Sequence, residues 1–180
     1  ILRIKARAGL FEHPFTDPKR ASRDLLTPQA RLLARQIANR SMVLLKNHQN
    51  LLPLEGVKRI LIAGDFINAR DELFGTWSPD GRAADVTPLD EAVRHNAPQG
   101  VELWFIHNGD LALALAHQAD VIVLLLGEHP SRSGENANVS DLGLPAGQLQ
   151  FLESMAAIGK PLVAVIFAGR PLVIPRVVAL

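Results

Sequence analysis

Four short apolar runs, residues 59–63, 101–106, 121–126 and 162–167, recur along the chain with helix-compatible stretches between them. Each run is continuous rather than alternating, so each predicts a strand covered on both faces, as in a parallel sheet packed between helices. The intervening segments 71–74, 88–95, 110–118 and 146–158 supply the crossovers that parallel strands require. This β-α-β-α rhythm restricts the chain to an α/β fold. Residues 41–45, Ser-Met-Val-Leu-Leu, predict one more short strand.

Ahead of the rhythmic part, residues 1–10 read as the end of a helix, with Gly9 suited to its C-cap. Residues 11–27 carry Pro14 and Pro18 among mixed charges and read as a linker. Thr27-Pro28 then makes an N-cap followed by proline at the first helical position, with Leu32, Leu33 and Ile37 near helical spacing. The sequence opens inside an amphipathic pattern and stops on Val177-Val178-Ala179-Leu180, so a piece of a longer chain is expected.

Composition removes several classes of function. A net charge of +1 offers no electrostatic case for nucleic acid or an anionic membrane. The absence of cysteine excludes disulfides and thiolate metal sites. No apolar run approaches the roughly 18 residues that span a bilayer, and residues 1–15 contain no signal-peptide apolar core. Gly64-Asp65 follows the first core strand, but the next glycine is Gly75, so no dinucleotide or phosphate fingerprint forms. His13, His48, His95, His107, His117 and His129 make no metal-ligand spacing, and neither a metal nor a cofactor is expected. Ser131, Ser133 and Ser140 lack the frame of a nucleophile elbow.

What remains is the long polar loop 127–148, which leaves the most apolar strand and enters a helix. Such loops at the carboxyl ends of strands are where open α/β sheets place their chemistry. It carries three carboxylates. Glu128, next to the strand, is placed to cap or bond backbone there, and Asp141 to brace the loop. Glu135 is furthest from both strand and helix, on the segment best able to reach a partner domain. Most loop carboxylates are solvated surface groups, and one glutamate alone serves as a general acid/base but not as a two-carboxylate glycosidase. His129 also lies in this loop. Trp104 falls inside a strand and reads as core. Trp77 sits in Phe-Gly-Thr-Trp-Ser-Pro-Asp-Gly-Arg, between Gly75 and Pro79, as either a plug over the core or a stacking platform for a sugar face. The large area an aromatic ring buries favours the plug.

An ordered set of short motifs then carries a resemblance. It runs through Gly9-Leu10-Phe11-Glu12, Ala34-Arg35, Ser41-Met42-Val43-Leu44-Leu45-Lys46-Asn47, Leu52-Pro53-Leu54, Gly64 and Gly75-Thr76-Trp77-Ser78. It continues in Ala119-Asp120-Val121-Ile122-Val123, Gly127-Glu128, Ser133-Gly134-Glu135, Leu144-Pro145 with Gln148, and Gly169-Arg170-Pro171-Leu172. Over nearly its whole length the chain resembles the C-terminal α/β-sandwich domain of glycoside hydrolase family 3, the β-glucosidases and β-xylosidases. The resemblance implies a mostly parallel sheet of about five to six strands between helices. It implies that residues 1–28 are the end of a preceding barrel helix plus an interdomain linker, and 29–180 the sandwich domain.

It further implies a retaining β-glycosidase acting on terminal β-linked sugars, with Glu135 as general acid/base and an aspartate nucleophile on a (β/α)₈ barrel this chain does not contain. The chain by itself is then inactive. Its partners are a β-linked glycoside or oligosaccharide and the barrel, with Trp77 and His129 as candidate substrate contacts. Many members carry an arginine shortly after the glutamate; here Val139 occupies that place, so the loop is expected to be held differently, for instance through Asp141 and Arg132. A non-catalytic carbohydrate-binding or scaffold module of the same fold is the alternative. A nucleotide-binding flavodoxin-like protein is a third reading.

Overall fold

In the computed structural model, which describes residues 1–78 and 80–180, the chain divides into two compact units, Ile1–Leu45 and Lys46–Leu180. Pro79, beside Trp77, lies outside the described residues.

The first unit holds three helices: α1 (Leu2–Arg7), α2 (Lys19–Asp24) and α3 (Pro28–Ser41). Helix α3 starts as Thr27-Pro28 predicts: Thr27 accepts the Ala30 N–H at 3.2 Å, satisfying one of the free donors of the first turn. Helix α2 falls inside the segment expected to be linker. It is a short helix whose charges pair locally, Arg20 and Arg23 both on Asp24. The strand predicted at residues 41–45 does not form. Ser41 ends α3, and Met42, Val43, Leu44 and Leu45 are exposed without a ladder partner. Strand propensity describes a side chain's fit to a sheet surface, and without a neighbouring strand it has nothing to act on.

The second unit is built on β1 (Arg59–Gly64), α4 (Leu89–Asn96), β2 (Glu102–Ile106), α5 (Gly109–Ala116), β3 (Val121–Gly127), α6 (Gln148–Ala156), β4 (Leu162–Phe167) and the short α7 (Pro175–Ala179). All pairings are parallel, in the order β2-β1-β3-β4. The sheet therefore has four strands rather than five to six. The missing member of the sequence count is the 41–45 segment.

The continuous apolar runs are explained by two buried faces. Leu61 and Ala63 of β1 and Ile122, Leu124 and Leu126 of β3 pack with Ala112 and Ala116 of α5 and Leu152 and Met155 of α6. The alternate residues Ile62 and Leu125 pack with Phe66, Ile67 and Ala69, joined by Leu89 and Val93 of α4. Each large side chain removed from water in this way contributes about 1.5–3 kcal/mol. Trp104 packs at the margin of the first face as expected. Its indole N–H donates to Glu102 at 2.8 Å, and the Arg59 guanidinium lies 4.5 Å over its ring.

The amino ends of β1 and β3 are tied by Asp120, whose Oδ2 accepts the Lys58 and Arg59 N–H groups at 2.8 Å each. Those backbone bonds, aided by the charges of Lys160 and Arg59, hold its carboxyl below the usual aspartate range against a smaller opposing effect of desolvation.

Candidate active site

The sheet order creates one topological switch point. From β1 the chain crosses to β2 on one side, and β3 on the other side leads on to β4. The crevice beyond the carboxyl ends of β1 and β3 is where open α/β sheets bind ligands. Two glycines make this end of the sheet possible. Gly64 ends β1 at φ 130°, and a Cβ there would stand 2.1 Å from Leu125 O. Gly127 ends β3 at φ 144°, where a Cβ would stand 1.9 Å from Phe167 O. No other residue fits either position.

A cleft of about 250 Å³ opens here, lined among others by Asp65, Glu72, His129, Arg132, Pro145 and Gln148. A larger groove, about 580 Å³, lies toward the amino ends of β1 and β2, lined by residues such as Leu54, Val57, Ile60, Val93, Pro98 and Leu103. Its lining includes no carboxylate and no histidine, and Lys58 is its one ionisable side chain. Asp65 and Glu72 carry no signal of their own in the sequence. The turn after β1 lacks phosphate-binding glycines, and only the switch point brings it beside the β3 loop.

The loop that follows β3 is fastened at both ends. Gln148, the first residue of α6, accepts the Gly127 N–H at 2.8 Å and donates to Gly127 O at 2.9 Å. One side-chain amide thus closes the loop by bonding both polar groups of a buried glycine. Glu128 lies next in the chain, buried, with its N–H donating to Phe167 O at 2.9 Å. Its Oε1 accepts from Arg132 Nε at 2.8 Å and from an Arg170 terminal nitrogen at 2.6 Å. The role expected of Glu128, bonding nearby backbone, is replaced by this double ion pair. Arg132 and Asp141, both expected to hold the loop, act separately: Arg132 pairs with Glu128. Asp141 braces its own turn by accepting the Gly143 N–H at 2.8 Å. Arg170 was legible only as a motif residue. The available signal was that a carboxylate beside a central strand needs a cation from the adjoining strand's exit.

Between these anchors a 3₁₀ turn, Pro130–Arg132, leads to Ser133-Gly134-Glu135. His129 caps that turn: its Nδ1 lies 2.9 Å from Ser131 Oγ and accepts the Ser131 N–H at 3.3 Å. The imidazole itself is exposed on the cleft. Thr76, from the tryptophan loop, places its hydroxyl 2.5 Å from the carbonyls of both Pro130 and Ser133. Gly134 packs so closely on Thr76 that a Cβ would lie 2.3 Å from its methyl, and its φ of 112° favours glycine as well. Ser133 is backed by Gly169, where a Cβ would meet the serine hydroxyl at 2.6 Å.

Glu135 then occupies an exposed turn closed by the Ala137 N–H to Gly134 O at 3.3 Å, with Asn136 in the left-handed region at φ 61°. The turn leaves Glu135 exposed above a base held by Thr76 and by the packing of Gly169 on Ser133. Trp77, one residue beyond Thr76, is 70% exposed. It is therefore not a plug over the core: Thr76 ties the loop to the Glu135 segment, and the indole is left in solvent. Among the described residues no group of His, Asp and Glu side chains is arranged to hold a metal ion.

A parallel sheet with a glutamate-bearing loop fastened at its switch point defines an open α/β domain whose candidate site lies at the carboxyl ends of its strands. Residues 42–179 match the glycosyl hydrolase family 3 C-terminal domain, and the chain belongs to that family. It is 25% identical to the periplasmic beta-glucosidase of Salmonella typhimurium over 98% of its own length and 28% of the relative's. It is 31% identical to the probable beta-D-xylosidase 7 of Arabidopsis thaliana, over 93% and 23% respectively. Among solved structures, the beta-glucosidase of Listeria innocua in complex with glucose superposes with a TM-score of 0.87 at 31% identity, covering 99% of this chain and 25% of that one. The chain thus spans about a quarter of the length of the proteins it matches.

Proposed function

We propose that this chain is the acid/base half of a retaining β-glycosidase that hydrolyses terminal β-linked glycosides or oligosaccharides. Residues 29–180 form its sandwich domain, and residues 1–28 the last barrel helix and the interdomain linker. The observation that carries the proposal is the presentation of Glu135. In a family 3 domain, an exposed carboxylate stands on a turn that Thr76, Gly134, Ser133 and Gly169 hold rigidly. Presentation on such a base of a group with no hydrogen-bond or ion-pair partner among the described residues suits a carboxylate that completes a site elsewhere.

In the first step the protonated Glu135 gives its proton to the glycosidic oxygen while an aspartate on the barrel attacks the anomeric carbon. The C–O bond to the leaving group breaks, and a glycosyl ester forms. In the second step the Glu135 carboxylate takes a proton from water as that water attacks the same carbon and frees the aspartate. Retention places the two carboxyl groups about 5–5.5 Å apart. The chain alone lacks the nucleophile and is inactive. Trp77 offers a flat apolar face to a sugar ring, and His129 a polar contact from the cleft; both serve as substrate-binding groups.

The test is Glu135→Ala in the full-length enzyme. Turnover of a disaccharide is expected to be abolished, turnover of a dinitrophenyl glycoside spared, and azide to restore turnover with release of a β-glycosyl azide. Wild-type rates on an unactivated disaccharide would sink the proposal.

A further inference from the structure

The proposed mechanism leaves one buried charge unused. Glu128 is 5% exposed, and it is the only polar or charged residue buried among the described residues. Two arginines share its Oε1, while its Oε2 and the Arg170 Nε, both buried, have no hydrogen-bond partner. An ion cluster with unmatched buried atoms is a poor source of stability, since apolar side chains of similar volume generally do as well. Its connectivity has a clearer purpose. The three residues come from three separate segments: Glu128 from the end of β3, Arg132 from the 3₁₀ turn three residues before Glu135, and Arg170 from the exit of β4. Arg170 also donates to Asp141 O at 3.4 Å, on the returning limb of the same loop. A planar guanidinium fixes direction as well as distance, so one carboxylate orients both limbs of the loop against the sheet.

We infer that Glu128 is a positioning residue for the glycosidase reaction, acting through Arg132 and Arg170 to set where Glu135 is presented. The inference rests on the acid/base role of Glu135 and deepens it.

The experiment compares Glu128→Gln, Glu135→Ala and the double variant in the full-length enzyme. The substrates are whichever of laminaribiose, cellobiose and xylobiose the wild type hydrolyses best, and the 2,4-dinitrophenyl glycoside of the same sugar. The quantity read is kcat/KM. Glutamine keeps the shape and one acceptor oxygen but removes the charge. With the acid displaced by about 1 Å, Glu128→Gln is expected to lose on the order of 10²-fold on the disaccharide. It should lose only a few-fold on the dinitrophenyl glycoside, whose leaving group needs no proton. The double variant should be no slower than Glu135→Ala, because the two residues act as one unit.

Equal losses on both substrates, or losses that add in full to those of Glu135→Ala, overturn the positioning role while leaving Glu135 as the acid. Absence of the substrate split in Glu135→Ala itself overturns the acid/base reading, and the positioning role with it. Should Glu128→Gln fail to fold, Arg132→Ala replaces it, because Glu128 then keeps Arg170. The same split is expected there, and an equal loss on the two substrates again overturns the inference.

Discussion

Gly134→Ala changes one hydrogen into a methyl next to Glu135, and the structure sets the size of the consequence. The new Cβ would stand 2.3 Å from the Thr76 methyl, whereas ordinary contacts begin at 3.4 Å, so relief requires about 1.1 Å of movement. The backbone is also at φ 112°, a region whose cost for a side-chain-bearing residue is about 1–3 kcal/mol. Thr76 cannot simply retreat, because its hydroxyl is held between the carbonyls of Pro130 and Ser133. The movement therefore falls on the Glu135 turn. A displacement of that size in a catalytic group costs on the order of 10²-fold in rate.

In the full-length enzyme, kcat/KM for a disaccharide should fall by about that factor, and a dinitrophenyl glycoside should be affected far less. Thr76→Ser removes the obstructing methyl and keeps the hydroxyl, so the double variant Gly134→Ala/Thr76→Ser should regain the part of the loss due to that methyl, while the Thr76 Cβ at 3.1 Å and the backbone strain remain. A Gly134→Ala enzyme within a few-fold of wild type on the disaccharide would refute the reasoning. A double variant no better than the single would do the same for the steric part.

Two further outcomes concern the sheet and its loop. Gln148→Ala removes both bonds to the buried Gly127 and should lower stability by about 1–3 kcal/mol. Urea unfolding should show this as a lower midpoint at unchanged slope, and an unshifted midpoint would mean the clamp is not structural. Asp120 is held below its ordinary pKa mainly by the Lys58 and Arg59 N–H groups. Its contribution is thus fully present above the unfolded value of about 3.9 and is lost as pH falls through the lower folded value. The stability difference between wild type and Asp120→Asn should be constant above about pH 5 and shrink below about pH 4. A difference that stays level down to pH 2 would assign the effect to something other than the charge.

The core strands were legible because burial on both faces writes itself as an unbroken apolar run, a property each segment carries alone. Strands β1 to β4 accordingly lie within a residue of the apolar runs, and Thr27-Pro28 begins α3 as its local chemistry dictates. Residues 41–45 show the limit of the same logic: four apolar residues in a row do not make a strand where no neighbour offers hydrogen bonds. Glu135 was singled out by its remoteness within the loop and by family resemblance, since nothing in its immediate neighbours distinguishes it from a solvated glutamate.

The amino-acid sequence by itself determined the α/β class, the four core strands and the helices between them, because periodicity and caps act over a few residues. The tertiary structure alone decided the strand order, the switch point and the neighbours of each loop. It set Trp77 in solvent, packed Gly134 on Thr76 and joined Glu128 to Arg170, 42 residues away. Those outcomes depend on which chain segments meet at the carboxyl edge of the sheet, and no short stretch of sequence encodes the charge or the space that a distant segment brings there.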